Sequence, residues 1–182
     1  LAPDGREVIG QVLPFGQIAH IREVGADGAL EEYDEVFLPG CTERMRQIAK
    51  SRGGHPAWIR LTLDHETTED ARIGFCTSLQ ETENGVDGIF RLHDDPWRLD
   101  KLRSMLAESH TGLSVEFEDV GKPTVVDNLR QRRQINIHAV SATPIPVYRQ
   151  ARIYAVRADV DELSSFGTPN LDAVRAMLDS VR

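Results

Sequence analysis

One serine and two histidines form a set that could do nucleophilic chemistry. Ser114 sits in "GLSVEF" (112–117), His65 closes "IRLTLDH" (59–65), and His138 lies within "INIHAVSATP" (135–144). A serine hydroxyl attacks poorly until a base takes its proton. Histidine is the usual base because it titrates near neutrality. A third group must then hold the imidazole in the productive tautomer.

The phases of these segments say which side chains can meet. Leu113, Val115 and Phe117 alternate as on the buried face of a strand, which sends Ser114, Glu116 and Glu118 to the other face. Ile135, Ile137 and Ala139 take the core face of their segment, and His138 the other. If the two strands are neighbours, Ser114 and His138 come together. His65 keeps the phase of Ile59, Leu61 and Leu63 and leans inward at a strand end, a suitable place for a base. Taken singly, each residue also has a plainer reading, the serine as solvated and the histidines as surface or satisfied core residues. His110 reads as structural, His55 before Pro56 as solvent-facing, and nothing distinguishes His20 or His93.

A looser alternative uses the same histidines as ligands. Asp64, Glu66, Glu69 and Asp70 surround His65, and a metal-dependent hydrolase could draw on His65 and His138. No HExxH, CxxC pair, P-loop or GxGxxG accompanies them, so neither a metal nor another cofactor is expected.

The elements that must position these residues are mainly short strands. Period-two segments cover 7–15, 19–24, 57–63, 72–79, 88–93, 113–118, 135–140 and 151–156. "GADG", "NGVDG" and "GKP" separate some of them. Strands at this spacing predict an antiparallel β-barrel of about seven to eight strands, flanked by helices in an α+β domain. One helix starts after Thr42 and stops before Gly53-Gly54. A second starts at Pro96 behind Asp95, with Leu99, Leu102 and Leu106 as its stripe. It delivers the chain through His110-Thr111-Gly112 to Ser114, and Gly112 permits close approach of another group. The expected organisation is a barrel over 1–157, then a linker and amphipathic helix over 158–182 carrying Leu171, Val174, Leu178 and Val181.

Composition narrows the class further. The chain has 182 residues, 40% hydrophobic and 27% charged, values of a globular protein. No apolar run approaches the roughly 20 residues that span a bilayer. A net charge of −8 argues against a nucleic-acid partner, because such binding rests on neutralised phosphates. The basic cluster "RQRR" at 130–133 reads as a solvated turn. Cys41 and Cys76 form no disulfide framework.

In order and setting, these motifs resemble the prohead (capsid maturation) serine proteases of tailed bacteriophages, relatives of the herpesvirus assemblins. The matching stretches are "GQVLPF" (10–15), "EVFLPGCTERM" (35–45), "IRLTLDH", "RIGF" (72–75), "GLSVEF", "VSATPIP" (140–146) and "ARIYAV" (151–156). The resemblance implies a herpesvirus-protease-like barrel with Ser114 as nucleophile, His65 as general base and no cofactor. The third member would be an acid or a histidine in the strand before "VS". His138 fits it, as in a Ser-His-His triad, because many phage members carry Glu where this chain has Ala139. Glu116 stands where the family often has Gly. The implied function is a serine endopeptidase that cuts scaffold, or a scaffold-like part of the capsid protein, and also itself. It would act as a homodimer inside the immature capsid, in the host cytoplasm. The alternative is a non-catalytic barrel that serves capsid assembly or scaffold binding.

Overall fold

The computed structural model describes residues 6–24 and 28–157. The expected C-terminal helix and linker lie outside them. The chain runs β1 (Glu7–Pro14), β2 (Ala19–Val24), β3 (Leu30–Phe37), α1 (Glu43–Ser51), β4 (Arg60–Leu63), β5 (Gly74–Thr82), β6 (Gly85–Leu92), α2 (Pro96–Ala107), β7 (Gly112–Asp119), β8 (Thr124–Val126), β9 (Leu129–Arg132), β10 (Ile135–Thr143) and β11 (Ile153–Arg157).

These strands form two sheets. A seven-stranded sheet has the order β11-β1-β6-β5-β4-β10-β7, and a four-stranded sheet the order β2-β3-β9-β8. This corrects the expectation of a single antiparallel barrel. Two pairings, β4 with β10 and β3 with β9, are parallel, which needs long connections that a hairpin meander lacks. The large sheet curls into a half-barrel around Leu61, Leu63, Ile73, Phe90, Leu113 and Ile137. Its two ends touch through one bridge, Gly112 to Arg152, just ahead of β11.

Strands β3 and β9 escape the sequence pattern for one reason. Their inward positions hold charge. Glu35 is 3% exposed and Arg132 5%, and they satisfy each other across the parallel pair, Arg132 Nε donating to Glu35 Oε2 at 2.8 Å. "RQRR" is therefore the end of a strand plus one residue, and its Arg132 is buried; the solvated turn is corrected to this. The turn lies earlier, at Asp127-Asn128, whose φ values of 50° and 63° suit a tight hairpin between β8 and β9.

Both expected helices form. Met45 and Ala49 of α1 and Leu102 of α2 are buried in the core, with Leu99 and Leu106 packed partly against it. Asp95 pairs with Arg98 at 3.0 Å without bonding a helix N–H, and Thr42 Oγ1 donates to Glu81 at 3.1 Å.

The start of β7 is fixed from both sides. A Cβ on Gly112 would lie 2.6 Å from the Pro146 ring and 2.8 Å from the Thr143 carbonyl oxygen, so only glycine lets the strand come this close. Leu113 N–H donates to Ala151 O at 2.9 Å, and Ile153 N–H to Thr111 O at 2.8 Å. Beyond that point β7 is the edge of its sheet.

Candidate active site

β10 lies between the strands that carry the two principal candidates, Ser114 on β7 and His65 just past β4. Ser114 stands directly opposite Ser141, and Glu116 opposite Ala139. Residues opposed in an antiparallel ladder share a face, so Ser114, Glu116, Ala139 and Ser141 lie together. Ser114 is 8% exposed, not solvated as a polar-face serine alone would suggest.

His65 reaches that face through a strained turn. Asp64 and His65 have φ values of 49° and 60°, left-handed backbone that non-glycine residues seldom adopt. Such strain persists only where surrounding bonds hold it. Here Asp64 N–H donates to Ala142 O at 3.0 Å, His65 N–H to Ser141 Oγ at 3.1 Å and Glu66 N–H to Leu63 O at 3.0 Å. Ser141, fully buried, also hydrogen-bonds the Thr62 hydroxyl. His110, expected to be structural, ties the turn to α2: its Nε2 lies 3.1 Å from Asp64 Oδ2 and its Nδ1 3.1 Å from the Met105 carbonyl.

A carboxylate lies against the His65 ring. Nδ1 lies 3.1 Å from Glu116 Oε1. A carboxylate oxygen accepts, so Nδ1 carries a proton, and in the neutral ring Nε2 holds the lone pair. No other side-chain hydrogen bond to this ring is present among the described residues.

His138 lies elsewhere. The β10–β7 register shifts between Ile137 and Ala139, a bulge that gives β10 one extra residue, His138. Its side chain is about half exposed, and its Nε2 lies 3.6 Å from Glu118 Oε2. Asn136 donates to the same carboxyl, and this bond, followed by the His138 charge, holds Glu118 below the usual carboxylate range. The contact made by the His138 ring among the described residues is with Glu118, not with His65 or Ser114, and the bulge breaks the simple alternation on which its meeting with Ser114 depended. Among the described residues no group of three or more His, Cys, Asp or Glu side chains is placed to hold an ion. The other histidines are engaged apart: His20 with Asp34 at 2.9 Å, His55 with the Thr77 carbonyl at 3.0 Å, and His93 against the Phe75 ring.

Ser114, His65 and Glu116 line one cavity of about 570 Å³ between the edge of β7 and the smaller sheet. His138 is not among its lining residues. Val12, Ile21 and Val147 give it apolar wall. Its far side is a buried polar cluster. Arg132 donates to Glu35 and Asp119 and, at 3.1 Å, to the Tyr33 hydroxyl. Tyr33 in turn donates to Glu23 at 2.7 Å, and Tyr148 to Glu35 at 2.9 Å. Burial opposes the Arg132 charge, but Glu35 and Asp119 outweigh it and keep its pKa above the usual arginine value. Burial, together with the Glu23 bond, pushes the Tyr33 hydroxyl up to about 12.

A profile of caudovirus prohead serine proteases matches residues 19–166. The chain belongs to that family. No curated protein sequence matches it. Among solved structures it is similar to the bacteriophage T4 capsid assembly protease gp21, at 13% identity, with a TM-score of 0.39, over 75% of this chain and 96% of the other.

Ser141 emerges as a positioning residue that sequence reasoning noted only as part of a motif. Replacing Ser141 with alanine leaves the Thr62 hydroxyl and His65 N–H without their shared partner. The expected cost is about 1–3 kcal/mol of stability, measured by urea unfolding.

Proposed function

We propose that this prohead protease is an endopeptidase whose nucleophile is Ser114 and whose general base is His65. It cuts scaffold protein, or a scaffold-like part of the capsid protein, inside the immature shell, and also cuts itself. Ser114 attacks the scissile carbonyl. His65 Nε2 takes the hydroxyl proton and returns it to the leaving amine. The observation that carries this reading is the shared cavity: the buried Ser114 and His65, whose Nδ1 is bonded to Glu116, both line it beside the open edge of β7.

That edge also suits a peptide substrate. Leu113 N–H points away from β10, to Ala151. Alternate residues send their backbone groups the same way, so Val115 and Phe117 offer theirs over the open edge. An extended chain laid there pairs with β7 and passes beside Ser114.

The test is labelling by a fluorophosphonate probe, followed by peptide mapping, with cleavage of capsid and scaffold protein as the second readout. The wild-type chain is expected to label on Ser114. Ser114→Ala is expected to lose both labelling and cleavage while unfolding at the same denaturant concentration. Cleavage retained by Ser114→Ala sinks the assignment. Loss of cleavage on chelation favours a metal-dependent reaction, and no reaction of either kind favours a non-catalytic assembly module.

A further inference from the structure

The Ser114–His65 reading leaves open which group orients the base, and the inference below rests on that reading. We propose that Glu116 is the positioning residue for His65, so that nucleophile and orienter sit two residues apart on one strand. The third member of the set is thus a carboxylate on β7, not His138 on β10.

Three observations converge on Glu116. Its Oε1 lies 3.1 Å from His65 Nδ1, the ring nitrogen that does not face the nucleophile in a serine–histidine pair. It shares a face of β7 with Ser114, since side chains two apart on a strand point the same way. The residue opposite it on β10 is Ala139, too small to compete for the ring or to cover it. Among the described residues of β7 the next acid on that face, Glu118, is occupied by Asn136 and His138. The Glu116 side chain is about one-third exposed and the His65 side chain 43%, so the pair is partly shielded but open to the cavity from which substrate arrives.

The arrangement sets the roles of the two ring nitrogens. Glu116 accepts the Nδ1 proton and holds the plane of the imidazole. When His65 takes the Ser114 proton on Nε2, the new positive charge forms beside the carboxylate that already bonds the ring. Glu116 touches neither substrate nor the reacting oxygen; it acts through His65.

The cross-strand register supplies a direct test. Position 139 faces position 116 at a Cβ separation of about 4.5–5.5 Å, so a carboxylate moved from one to the other remains within reach of the same ring. The readout is the inactivation kinetics of the 182-residue chain with a fluorophosphonate probe, which separates probe affinity from the bond-forming step. Glu116→Ala is expected to lower the maximal inactivation rate by about 10²–10⁴-fold, with probe affinity and thermal unfolding unchanged. The double variant Glu116→Ala/Ala139→Glu is expected to regain at least tenfold over the single one. Added formate, which can enter the space the side chain left, is expected to accelerate Glu116→Ala in a saturable way, and this arm stands if the double variant does not fold.

An inactivation rate of Glu116→Ala within threefold of wild type overturns the proposal. So does a loss confined to probe affinity, or a loss that neither the relocated carboxylate nor formate relieves. A wild-type chain that does not label on Ser114 refutes the underlying assignment instead, so the two failures are distinct.

Discussion

Replacing His65 with alanine is expected to slow cleavage by roughly 10²–10⁴-fold, the usual contribution of a positioned general base. The loss should fall mainly on turnover, not on folding. The ring is only partly buried and its removal exposes no core, whereas the bonds that hold its turn are made by the backbone of Asp64, His65 and Glu66. Those bonds survive the substitution, and the several-fold preference of histidine over ordinary residues for left-handed φ puts the cost of alanine there at about 1 kcal/mol. Comparing the cleavage rate and the unfolding midpoint of the same preparation checks both halves. Reaction at Ser114 that persists near the wild-type rate would mean that another group removes its proton.

The largest effect on stability is expected at Arg132. Its guanidinium is buried between Glu35 and Asp119 and close to the Phe117 ring, at 5.2 Å. Arg132→Leu leaves the carboxylate of Glu35, 3% exposed, without its cation. Removing one partner of a buried pair costs about 3–5 kcal/mol, readable in a urea titration. Replacing Glu35 and Arg132 together by leucine and methionine should recover part of that loss, since apolar side chains then fill the space and fewer charges are stranded. The substitution should also affect reaction at Ser114. Asp119 and Phe117 belong to the nucleophile's strand, so Arg132 is one of the groups that hold the smaller sheet against it.

Arg132 and Glu35 also show where sequence patterning stops. A strand whose inward residues are apolar, such as β7 with Leu113, Val115 and Phe117, is legible because burial and alternation agree. In β3 and β9 the inward positions carry opposite charges that are acceptable only because the partner strand supplies the other sign. That information is absent from either segment alone, and "LEEYDEVF" and "LRQR" read as polar. The candidate site divides in the same way. Ser114 and His65 each follow from a local pattern, a glycine-led strand start and an apolar strand that ends in histidine. Their neighbour Glu116 needed the pairing of β7 with β10 before it acquired a role. The placement of His138 beside Glu118 was not legible because a single extra residue in β10 cannot be seen in a run of alternating side chains.

The interior place of β10 has a consequence for how the site tolerates change. The strands carrying the proposed base and nucleophile do not pair with each other; each pairs with β10. The span between them is two interstrand spacings, about 10 Å, fixed by backbone hydrogen bonds whatever side chains fill the core. The central strand thus works as a measuring bar. Its residues on the reactive face, Ala139 and Ser141, are both small, which leaves the imidazole room to cross. Aliphatic residues beneath the sheet can drift without altering that distance, whereas a bulky apolar side chain at 139, unable to bond the ring as a carboxylate there could, would interrupt the crossing and leave the rest of the protein intact.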